Sequence, residues 1–460
     1  MEADLDMTHR TAIIDLVALT DEQLEDMPRL AALCSGGSRT RLQPQFPAVT
    51  CTSQTTMLTG EKPSTHGIIG NGWDDRDTAE TRFWQQSDGV VQRERIWDRL
   101  RAIDPAITIA NCFWWYAMYS GADVSITPRP MYPADGRKIP DIWSSPGSLR
   151  DELQATLGRF PLFHFWGPAA NISSSKWIAD AARHVDTAFD PTVLLVYLPH
   201  LDYGLQKFGP GNPAMKPERA ALDDIAADLI EHLMDRGRRI LLVNEYGIMP
   251  VRDAVAPNRL LRSQGMLTIR QELGRDLLDA GASAAFAVTD HQIAHVYVAD
   301  PDRISEIAAL LSNLDGVDEV MHGQVRAAGG LDHSRSGDIV LLAKADRWFC
   351  HDWWNTPETA PDYQRTVDIH RKPGYDPREL FIDPSIRFPR LAVAARLARK
   401  RLGFRGLMDV IPLETSLVRG SHGRCDPHLD PLLWCSEPID LPERLPMAEV
   451  ADLIQQVVLA

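Results

Sequence analysis

The sequence has few cysteines, and none of them forms the short pairs that zinc ribbons and disulfide frameworks need. Its six cysteines are scattered through 460 residues without a Cys-x-x-Cys motif, which argues against both kinds of small scaffold. The first ten residues, MEADLDMTHR, are acidic and lack the basic and then apolar profile of a secretion signal. From these absences we expect a reducing, cytoplasmic environment.

The sequence also lacks an excess of positive charge and any apolar run long enough to cross a bilayer. It has 48 Lys and Arg against 63 Asp and Glu, a net charge of −15, whereas nucleic acids and anionic membranes attract the opposite sign. Its longest apolar runs, such as TVLLVYL, are far shorter than the roughly 20 residues of a transmembrane helix. We therefore expect neither a nucleic-acid polymer nor a membrane as partner. The oligomeric state is not indicated.

Short β-branched runs alternate with longer amphipathic stretches. This alternation predicts an α/β fold, with a mostly parallel sheet, helices on both faces and a smaller α+β insertion. The runs that read as buried strands are 11–19, 106–113, 192–199, 238–247 and 337–345. Ligands of such sheets bind at the carboxyl ends of the strands.

Acidic side chains lie at three of these strand ends. Asp15 follows the apolar core of the run 11–19, Asp202 follows the run 192–199, and Glu245 follows RRILLV in the run 238–247. A single acidic residue at a strand end is often only a turn residue. Because the ends of parallel strands share one edge, three together predict a common site.

The pattern divides the chain into three parts. Residues 1–285 are expected to form the main catalytic core, with a cap inserted around 75–190. Residues 286–335 contain a strand with two histidines, a helix and a second strand, and we expect a small α+β insertion. Residues 336–460 are expected to return to the core, with the run at 337–345 rejoining the main sheet.

The stretch FPAVTCTSQTTMLTGEKPSTHGIIGNGW, residues 46–73, is crowded with Ser, Thr and Cys. Its spacing, T-x8-TG-x2-P-x2-HGI-x2-N, resembles the nucleophile region of the type I phosphodiesterase/nucleotide pyrophosphatase family, a branch of the alkaline phosphatase superfamily. The resemblance implies an alkaline-phosphatase-like fold, Thr50 as the nucleophile, and Asn71 as the residue that holds a phosphate oxygen. A helix that begins at the nucleophile also offers N–H donors to a phosphoryl group.

Two other interpretations of this stretch remain open. Thr50 or Thr52 could serve only as a helix N-cap. Cys51 is a rival nucleophile, because sulfatases of the same superfamily use Cys or Ser in a CxPxR motif. The sequence CTSQT lacks both the Pro and the Arg, which favours Thr50.

The resemblance also implies two divalent metal ions, and most of their ligands can be placed on this chain. LDYGLQKFGP resembles the family's DxxGHxxGP, NEYGI stands where the family has SDHGM, and VRGSHGRCDP resembles the closing GxHG motif. On the first strand, Asp15 lies two residues before the family's Asp position. The implied ligands are Asp15, Thr50, Asp202, Gln206, Glu245, Tyr246 and His422.

Two imidazoles of the usual set of three are missing. Gln206 and Tyr246 stand where the family has His. Nitrogen ligands suit zinc, and oxygen ligands suit harder ions such as Mn²⁺ or Mg²⁺, so all three ions stay open. A single-ion site and a lost activity also stay open.

The segment DIHRKPGYDP, residues 368–377, is too polar for a core and is expected to line the cleft. His370, Arg371 and Lys372, together with Asn71, are the predicted substrate-binding residues. An Arg or Lys here would supply the local cation that an anionic substrate needs. The aromatic stretches 112–119 and 352–355 are either core or a stacking platform.

Taken together, these patterns favour a metal-dependent hydrolase of a phosphate ester, phosphodiester or nucleotide pyrophosphate that acts through a covalent phospho-threonine. Its substrate would be a small phosphorylated anion. Hydrolysis of a phosphonate C–P bond would use the same residues and is an alternative. A second alternative is a member of the superfamily that has lost catalysis and retains a binding role.

Overall fold

The computed structural model describes residues 8–404 and 406–459. Its strands are, in chain order, β1 Thr11–Leu16, β2 Ser38–Gln43, β3 Gly72–Asp75, β4 Glu80–Phe83, β5 Ile109–Cys112, β6 Val124–Pro128, β7 Ile142–Ser145, β8 Val193–Leu198, β9 Arg239–Val243, β10 Met249–Pro250, β11 Asp253–Val255, β12 Ile269–Glu272, β13 Arg275–Leu278, β14 Ala285–Asp290, β15 Ile293–Val298, β16 Val317–His322, β17 Ile339–Ala343, β18 Arg347–Phe349, β19 Gly420–Ser421, β20 Leu432–Cys435 and β21 Arg444–Pro446.

The α-helices are, in the same order, α1 Asp21–Leu24, α2 Pro28–Leu33, α3 Thr50–Thr59, α4 Pro63–His66, α5 Ile96–Ile103, α6 Ser148–Leu157, α7 Leu162–Phe165, α8 Ser173–Phe189, α9 His200–Phe208, α10 Met215–Asp235, α11 Pro257–Ser263, α12 Ile304–Ser312, α13 Gly323–Ala328, α14 Pro389–Arg401 and α15 Val450–Leu459.

A nine-stranded sheet forms the centre of the molecule. Its strand order is β21-β2-β20-β9-β1-β8-β5-β6-β7. The inner strands β9, β1, β8, β5 and β6 are parallel, while β20 and β7 pair antiparallel with their inner neighbours. The predicted α/β fold with a mostly parallel sheet is confirmed.

The register of the central strands brings the predicted strand ends to one edge. In β1, Asp15 lies opposite Tyr197 of β8 and Val243 of β9. The helix α9 begins two residues after β8, and the loop with Glu245 begins directly after β9. Because β1 lies between β8 and β9, the three acidic residues face one region beyond the carboxyl ends of these strands.

Helices pack against the central sheet within a single large core. Helices α8 and α10 contact each other and the strands β8 and β9, and α15 contacts α3 and α5. Apolar residues of the sheet and of these helices belong to the same buried cluster. The predicted runs 11–19, 106–113, 192–199 and 238–247 supply β1, β5, β8 and β9 of this sheet.

A second, four-stranded antiparallel sheet has the order β14-β15-β17-β16. The prediction that 337–345 rejoins the main sheet is wrong, because β17 pairs with β15 and β16. Alternate residues of β17 face two different cores, with Leu341 in one cluster and Val340 in another. A strand covered on both faces is apolar throughout, so its sequence looks like that of a parallel core strand. The predicted domain boundaries stay predictions.

Two further findings concern the cysteines and membrane spans. All six cysteines are free thiols. Within residues 8–404 and 406–459, none of the helices combines the length and the apolar character that crossing a bilayer requires.

Candidate active site

Thr50 is the first residue of helix α3, at the centre of the candidate site. The preceding residue, Val49, is extended (φ −132°, ψ 153°), and the helix ends at Gly60 in the left-handed conformation. The hydroxyl of Thr50 is buried and lies 2.9 Å from the hydroxyl of Tyr246. The predicted nucleophile position is therefore held at a helix start, inside the molecule.

Helix α3 is buried along its whole length although most of its side chains are polar. Several of these side chains find partners inside the protein: Thr52 donates to the carbonyl oxygen of Ile68, and Thr56 pairs with His66. The hydroxyl of Thr55 is buried without a partner. A buried helix that is polar on all sides is costly unless each group is paired. Such a helix marks a functional element more than a core element.

Asn71 fixes the start of this helix. Its Oδ1 accepts a hydrogen bond from the backbone N–H of Cys51 at 2.9 Å, and its Nδ2 donates to Asp290 Oδ1 at 3.0 Å. The backbone N–H of Asn71 also donates to Asp290. An amide nitrogen has two hydrogens, and the contact with Asp290 uses one of those of Asn71.

Gln54 joins two acidic residues from neighbouring strands. One turn after Thr50, its Nε2 donates to Asp15 at 3.0 Å and to Glu245 at 2.7 Å. Its Oε1 accepts from the backbone N–H of Trp115 at 2.8 Å. The amide thus brings together two carboxylates that would otherwise repel each other.

Asp202 and His422 form the other half of the site. Nε2 of His422 lies 3.8 Å from Oδ1 of Asp202, and its Nδ1 donates to the carbonyl oxygen of Ala48 at 2.8 Å. Because a carbonyl only accepts, Nε2 carries no proton and is free to accept. Burial lowers the pKa of His422 well below its usual value, so the ring is neutral.

A close backbone contact holds the His422 loop against helix α9. A Cβ atom at Gly420 would lie 2.3 Å from the carbonyl oxygen of Leu205. Only glycine permits this approach. The contact sets β19 against the helix that presents Asp202, and so brings His422 and Asp202 together.

The three carboxyl groups of the site hold protons more tightly than usual. Burial, with a contribution from the charge of Glu245, raises the pKa of Asp202 to about 8. Burial also raises the pKa of Glu245 to about 7. The pKa of Asp15 is raised by burial and by Glu245. Their mutual repulsion makes the site a place for protons or for a cation.

The donors around these carboxyl groups do not match the two-ion centre that the resemblance implies. Gln206 occupies the position of one imidazole, and its Nε2 donates to Asp202 at 2.8 Å. Tyr246 occupies that of another, and its ring stacks on His422 at 3.6 Å. In the part of the chain that the structure describes, no three His, Cys, Asp or Glu side chains are grouped so that they could hold a metal ion.

Five buried atoms of the site nevertheless have no hydrogen-bond partner. Asp15 Oδ1 and Glu245 Oε2 belong to one half of the site, and Asp202 Oδ1, His422 Nε2 and His291 Nε2 belong to the other. The ligand roles of these residues stay predictions, and the donor set fits no preformed two-ion centre.

Two residues that the sequence patterns did not select lie in the same site. His291 is buried, and its Nδ1 lies 2.8 Å from Asp290 Oδ1. Its ring stacks on Tyr375 at 3.6 Å and approaches His422 at 3.7 Å. Asp290 ends strand β14, so the strand-end rule that selected Asp15 could also have selected Asp290 and His291. No spacing rule marks Gln54.

The basic residues that were predicted to bind substrate differ in their exposure. Lys372 is buried and pairs with Asp376 at 2.9 Å and Glu379 at 2.7 Å. Its charge is thus used inside the protein. Arg371 is exposed and lies 3.3 Å from Asp368, and His370 is exposed.

The two aromatic stretches also differ in their environment. Trp353 and Trp354 are buried in the core of the second sheet. Trp115 is half-buried next to Gln54, and its ring lies 4.9 Å from that of Trp84.

The rival nucleophile Cys51 is also buried. Burial raises the pKa of Cys51 well above its usual value, which disfavours its thiol as a nucleophile.

Solved structures of known enzymes resemble this fold. Phosphonoacetate hydrolase from Sinorhizobium meliloti, in complex with phosphonoformate, superimposes with a TM-score of 0.61 at 15% identity, covering 98% of this chain and 96% of that one. An inactive variant of murine ectonucleotide pyrophosphatase/phosphodiesterase 5, in complex with AMP, gives a TM-score of 0.58 at 12% identity, covering 98% and 95%. At these identities the likeness shows the fold.

Sequence comparison identifies the family. An uncharacterized pyrophosphatase/phosphodiesterase of Schizosaccharomyces pombe is 25% identical over 247 residues, which is 52% of this chain and only 43% of that protein. The family model described as type I phosphodiesterase / nucleotide pyrophosphatase matches residues 11–376, which is most of the chain. The chain therefore belongs to the type I phosphodiesterase/nucleotide pyrophosphatase family, a family of hydrolases.

Proposed function

We propose that this chain hydrolyses a small phosphate ester, phosphodiester or nucleotide pyrophosphate, and that Thr50 is the nucleophile. The observation that carries the proposal is the position of the Thr50 hydroxyl. It lies 2.9 Å from the hydroxyl of Tyr246, and it is close enough to Glu245 to lower the pKa of that carboxyl. Family membership supports hydrolysis, and this geometry supports Thr50 as the attacking group.

In this proposal a proton relay activates Thr50. As Thr50 Oγ1 bonds to phosphorus, its proton passes to the Tyr246 oxygen, and the Tyr246 proton passes to Glu245. A base with a pKa near the working pH is the most effective, and the pKa of Glu245 is about 7. Tyr246 also lowers the pKa of Glu245 by hydrogen bonding, as this relay requires.

Asp202 is the proposed acid for the leaving group. Its pKa of about 8 keeps it protonated near neutral pH, so it donates a proton to the oxygen that leaves phosphorus. Two carboxyl groups with different pKa values are a common acid and base assignment. Water then attacks the phospho-threonine while the Asp202 carboxylate takes a proton from it. The bond between Thr50 and phosphorus breaks, and Glu245 returns its proton through Tyr246 to the Thr50 oxygen.

Asn71 is the proposed holder of the phosphoryl oxygens. One of its amide hydrogens is bound to Asp290, and the second is available to a phosphoryl oxygen next to Thr50. Donors that are fixed before substrate binds stabilise the developing charge without reorganisation. The contact with Asp290 supplies this fixation.

The test compares two substitutions at one position. Thr50→Ala should lower turnover of a chromogenic phosphodiester by about three orders of magnitude or more, because no other group replaces an attacking oxygen. Thr50→Ser keeps the hydroxyl and should retain a measurable part of the rate. Thermal unfolding of both variants should match the wild type. Turnover of Thr50→Ala close to that of the wild type would contradict the proposal.

Hydrolysis of a phosphonate is the alternative substrate class. The same attack by Thr50 on phosphorus would break a C–P bond instead of an O–P bond, and the likeness to phosphonoacetate hydrolase supports its inclusion. Assaying phosphonoacetate beside the phosphodiester separates the two. If the phosphonate alone is turned over, the substrate is a phosphonate and the phosphodiester assignment is wrong.

A binding role is the second candidate function, and one observation favours it. The amide of Gln54 donates to Asp15 and Glu245, and the neutral phenol of Tyr246 lies 2.9 Å from the Thr50 hydroxyl. Neutral groups thus stand where the carboxylates and Thr50 would otherwise face a cation. Calorimetry with AMP and inorganic phosphate tests this role. Binding without turnover of any ester or phosphonate, with divalent ions supplied, would establish the binder and exclude the hydrolase.

A further inference from the structure

One segment of this acidic chain is strongly basic. Residues 384–408 contain seven of the 48 Lys and Arg residues and no Asp or Glu. The rest of the chain therefore carries 41 basic residues against 63 acidic ones. Charge of opposite sign is thus concentrated in one segment, which the net charge of the whole chain conceals.

Helix α14 occupies the middle of this segment and presents an apolar stripe to solvent. Leu391, Ala395, Ala398 and Leu402 follow one another at intervals of four, three and four residues, which is the repeat of one helix face. All four are exposed, and Leu391 and Leu402 are 68% and 76% exposed. None of the residues of α14 is buried. The apolar face of this helix is turned away from the protein.

Arginines lie on both sides of the stripe. On a helical projection Arg390 and Arg401 fall on one flank and Arg399 on the other. Two aromatic rings extend the apolar surface at the ends of the helix, where Phe388 is 62% exposed and Phe404 is 61% exposed. Exposed apolar clusters bordered by charge are rare on soluble proteins and mark interaction sites.

The opposite face of the helix is partly buried and is held by an ion pair. Ala392, Val393 and Arg396 are half-buried, and Arg396 pairs with Asp409 at 2.7 Å. At the base of the segment, the backbone N–H of Asp383 donates to the carbonyl oxygen of Val410 at 2.7 Å. This hydrogen bond joins the two ends of the segment, so helix α14 lies within a closed surface loop.

We propose that helix α14 docks this protein onto the surface of a membrane that contains anionic lipid. A helix with an apolar stripe flanked by Arg lies in the plane of a bilayer, with the stripe among the acyl chains and the cations at the headgroups. Arg387, Arg390, Arg399 and Arg401 complement anionic headgroups. Binding to the surface in this way needs no spanning helix. It departs from the expectation, drawn from the net charge, that a membrane is not a partner.

Charge complementarity selects the lipid over a second copy of this chain. The stripe of one copy would bring its arginines against those of the other, because a symmetric contact places the same face on both sides. The acidic remainder of the molecule would be repelled by the same headgroups that attract the helix. The helix would therefore also set the orientation of the protein on the surface.

The test is co-sedimentation of the full chain with vesicles. One preparation is phosphatidylcholine alone, and the other contains a substantial share of phosphatidylglycerol. We expect binding to the anionic vesicles, weakening as salt rises, and little binding to the neutral ones. Equal binding to both preparations, or binding to neither, would overturn the proposal.

Matched variants separate the helix from general adhesion. Leu391→Asp with Leu402→Asp should lower the fraction bound by about tenfold or more, because the stripe becomes charged. Leu273→Asp is the control, since Leu273 is fully exposed at the tip of the β12–β13 hairpin, and it should leave binding unchanged. If the double variant binds as the wild type does, the helix is not the docking element. If instead ultracentrifugation shows a dimer that the double variant dissolves, the stripe is an interface between copies.

Discussion

Lys372 was predicted to contact the substrate, but in the structure it has a structural role. From its polar neighbours the sequence placed it in the cleft beside Arg371. The structure buries it between Asp376 and Glu379. Burial lowers its pKa, but these two carboxylates outweigh burial and the net shift is upward. The same charge that could receive a phosphate stabilises the fold instead.

This difference gives a stability prediction with a neighbouring control. Lys372→Met should lower the free energy of unfolding by about 3 kcal/mol or more, because it leaves two carboxylates buried without their cation. Arg371→Met should change it by less than about 1 kcal/mol, because exposed ion pairs contribute little. Urea unfolding of both variants measures this. Equal losses would show that Lys372 is not a structural ion-pair residue.

The raised pKa values of Asp202 and Glu245 predict that stability falls as pH rises. The folded protein holds protons on these groups up to pH 7 to 8, whereas the unfolded chain releases them near pH 4. The stabilisation is therefore complete below about pH 4 and is lost through pH 8, at about 1.4 kcal/mol per pH unit for each group.

Asp202→Asn isolates this effect. Asparagine does not titrate, so between pH 5 and pH 8 this variant should lose about 2–4 kcal/mol less unfolding free energy than the wild type. Urea unfolding with a chelator present makes the comparison one of protons alone. An identical pH dependence in both proteins would mean that Asp202 is already ionised at low pH in the folded state.

At the scale of helices and strands, two elements lack the imidazoles of the family pattern. Helix α9 presents Gln206, and the loop after β9 presents Tyr246, each where the resemblance placed an imidazole. The backbone of both elements is in position, since Asp202 and Glu245 face the site. Only the side chains differ, so the missing ligands are open to restoration.

Gln206→His combined with Tyr246→His should therefore increase zinc binding. Each substitution would restore one imidazole to its half of the site, and zinc binds imidazole nitrogen well. Elemental analysis after dialysis should show more zinc per chain in the double variant, approaching two ions, than in the wild type. No difference in zinc content would mean that the spacing of the two elements, and not their side chains, excludes the ions.

The burial pattern of the sequence predicted well which segments are buried strands. It predicted poorly which neighbouring strand each of them pairs with. The runs at 11–19 and 192–199 became β1 and β8 of the central sheet. β17 was assigned to the wrong sheet, because an apolar run reports burial on both faces and not which strand lies beside it. The β14–β15 hairpin carries His291, and the sequence did not place it at the site. Its apolar residues also show burial without showing which elements lie beside it.

For the whole molecule, the order of strands and helices made the α/β fold predictable, and the motif around Thr50 made the family predictable. The position of Thr50 beside Tyr246 and Glu245 depends on parallel strands that share one edge, which the rule about strand ends anticipated. Gln54 could not be anticipated, because its role depends on which carboxylates lie beside one helical turn. The net charge does not reveal the basic residues of 384–408, because they are averaged into the total.

The central claim is that Thr50 Oγ1 forms a bond to phosphorus during turnover. Rapid quenching of the full chain with a phosphodiester, followed by peptide mass spectrometry, tests it most directly. We predict a phosphoryl or phosphodiester adduct on Thr50, absent from Thr50→Ala. An adduct on another residue, or turnover by Thr50→Ala without any adduct, would contradict the account.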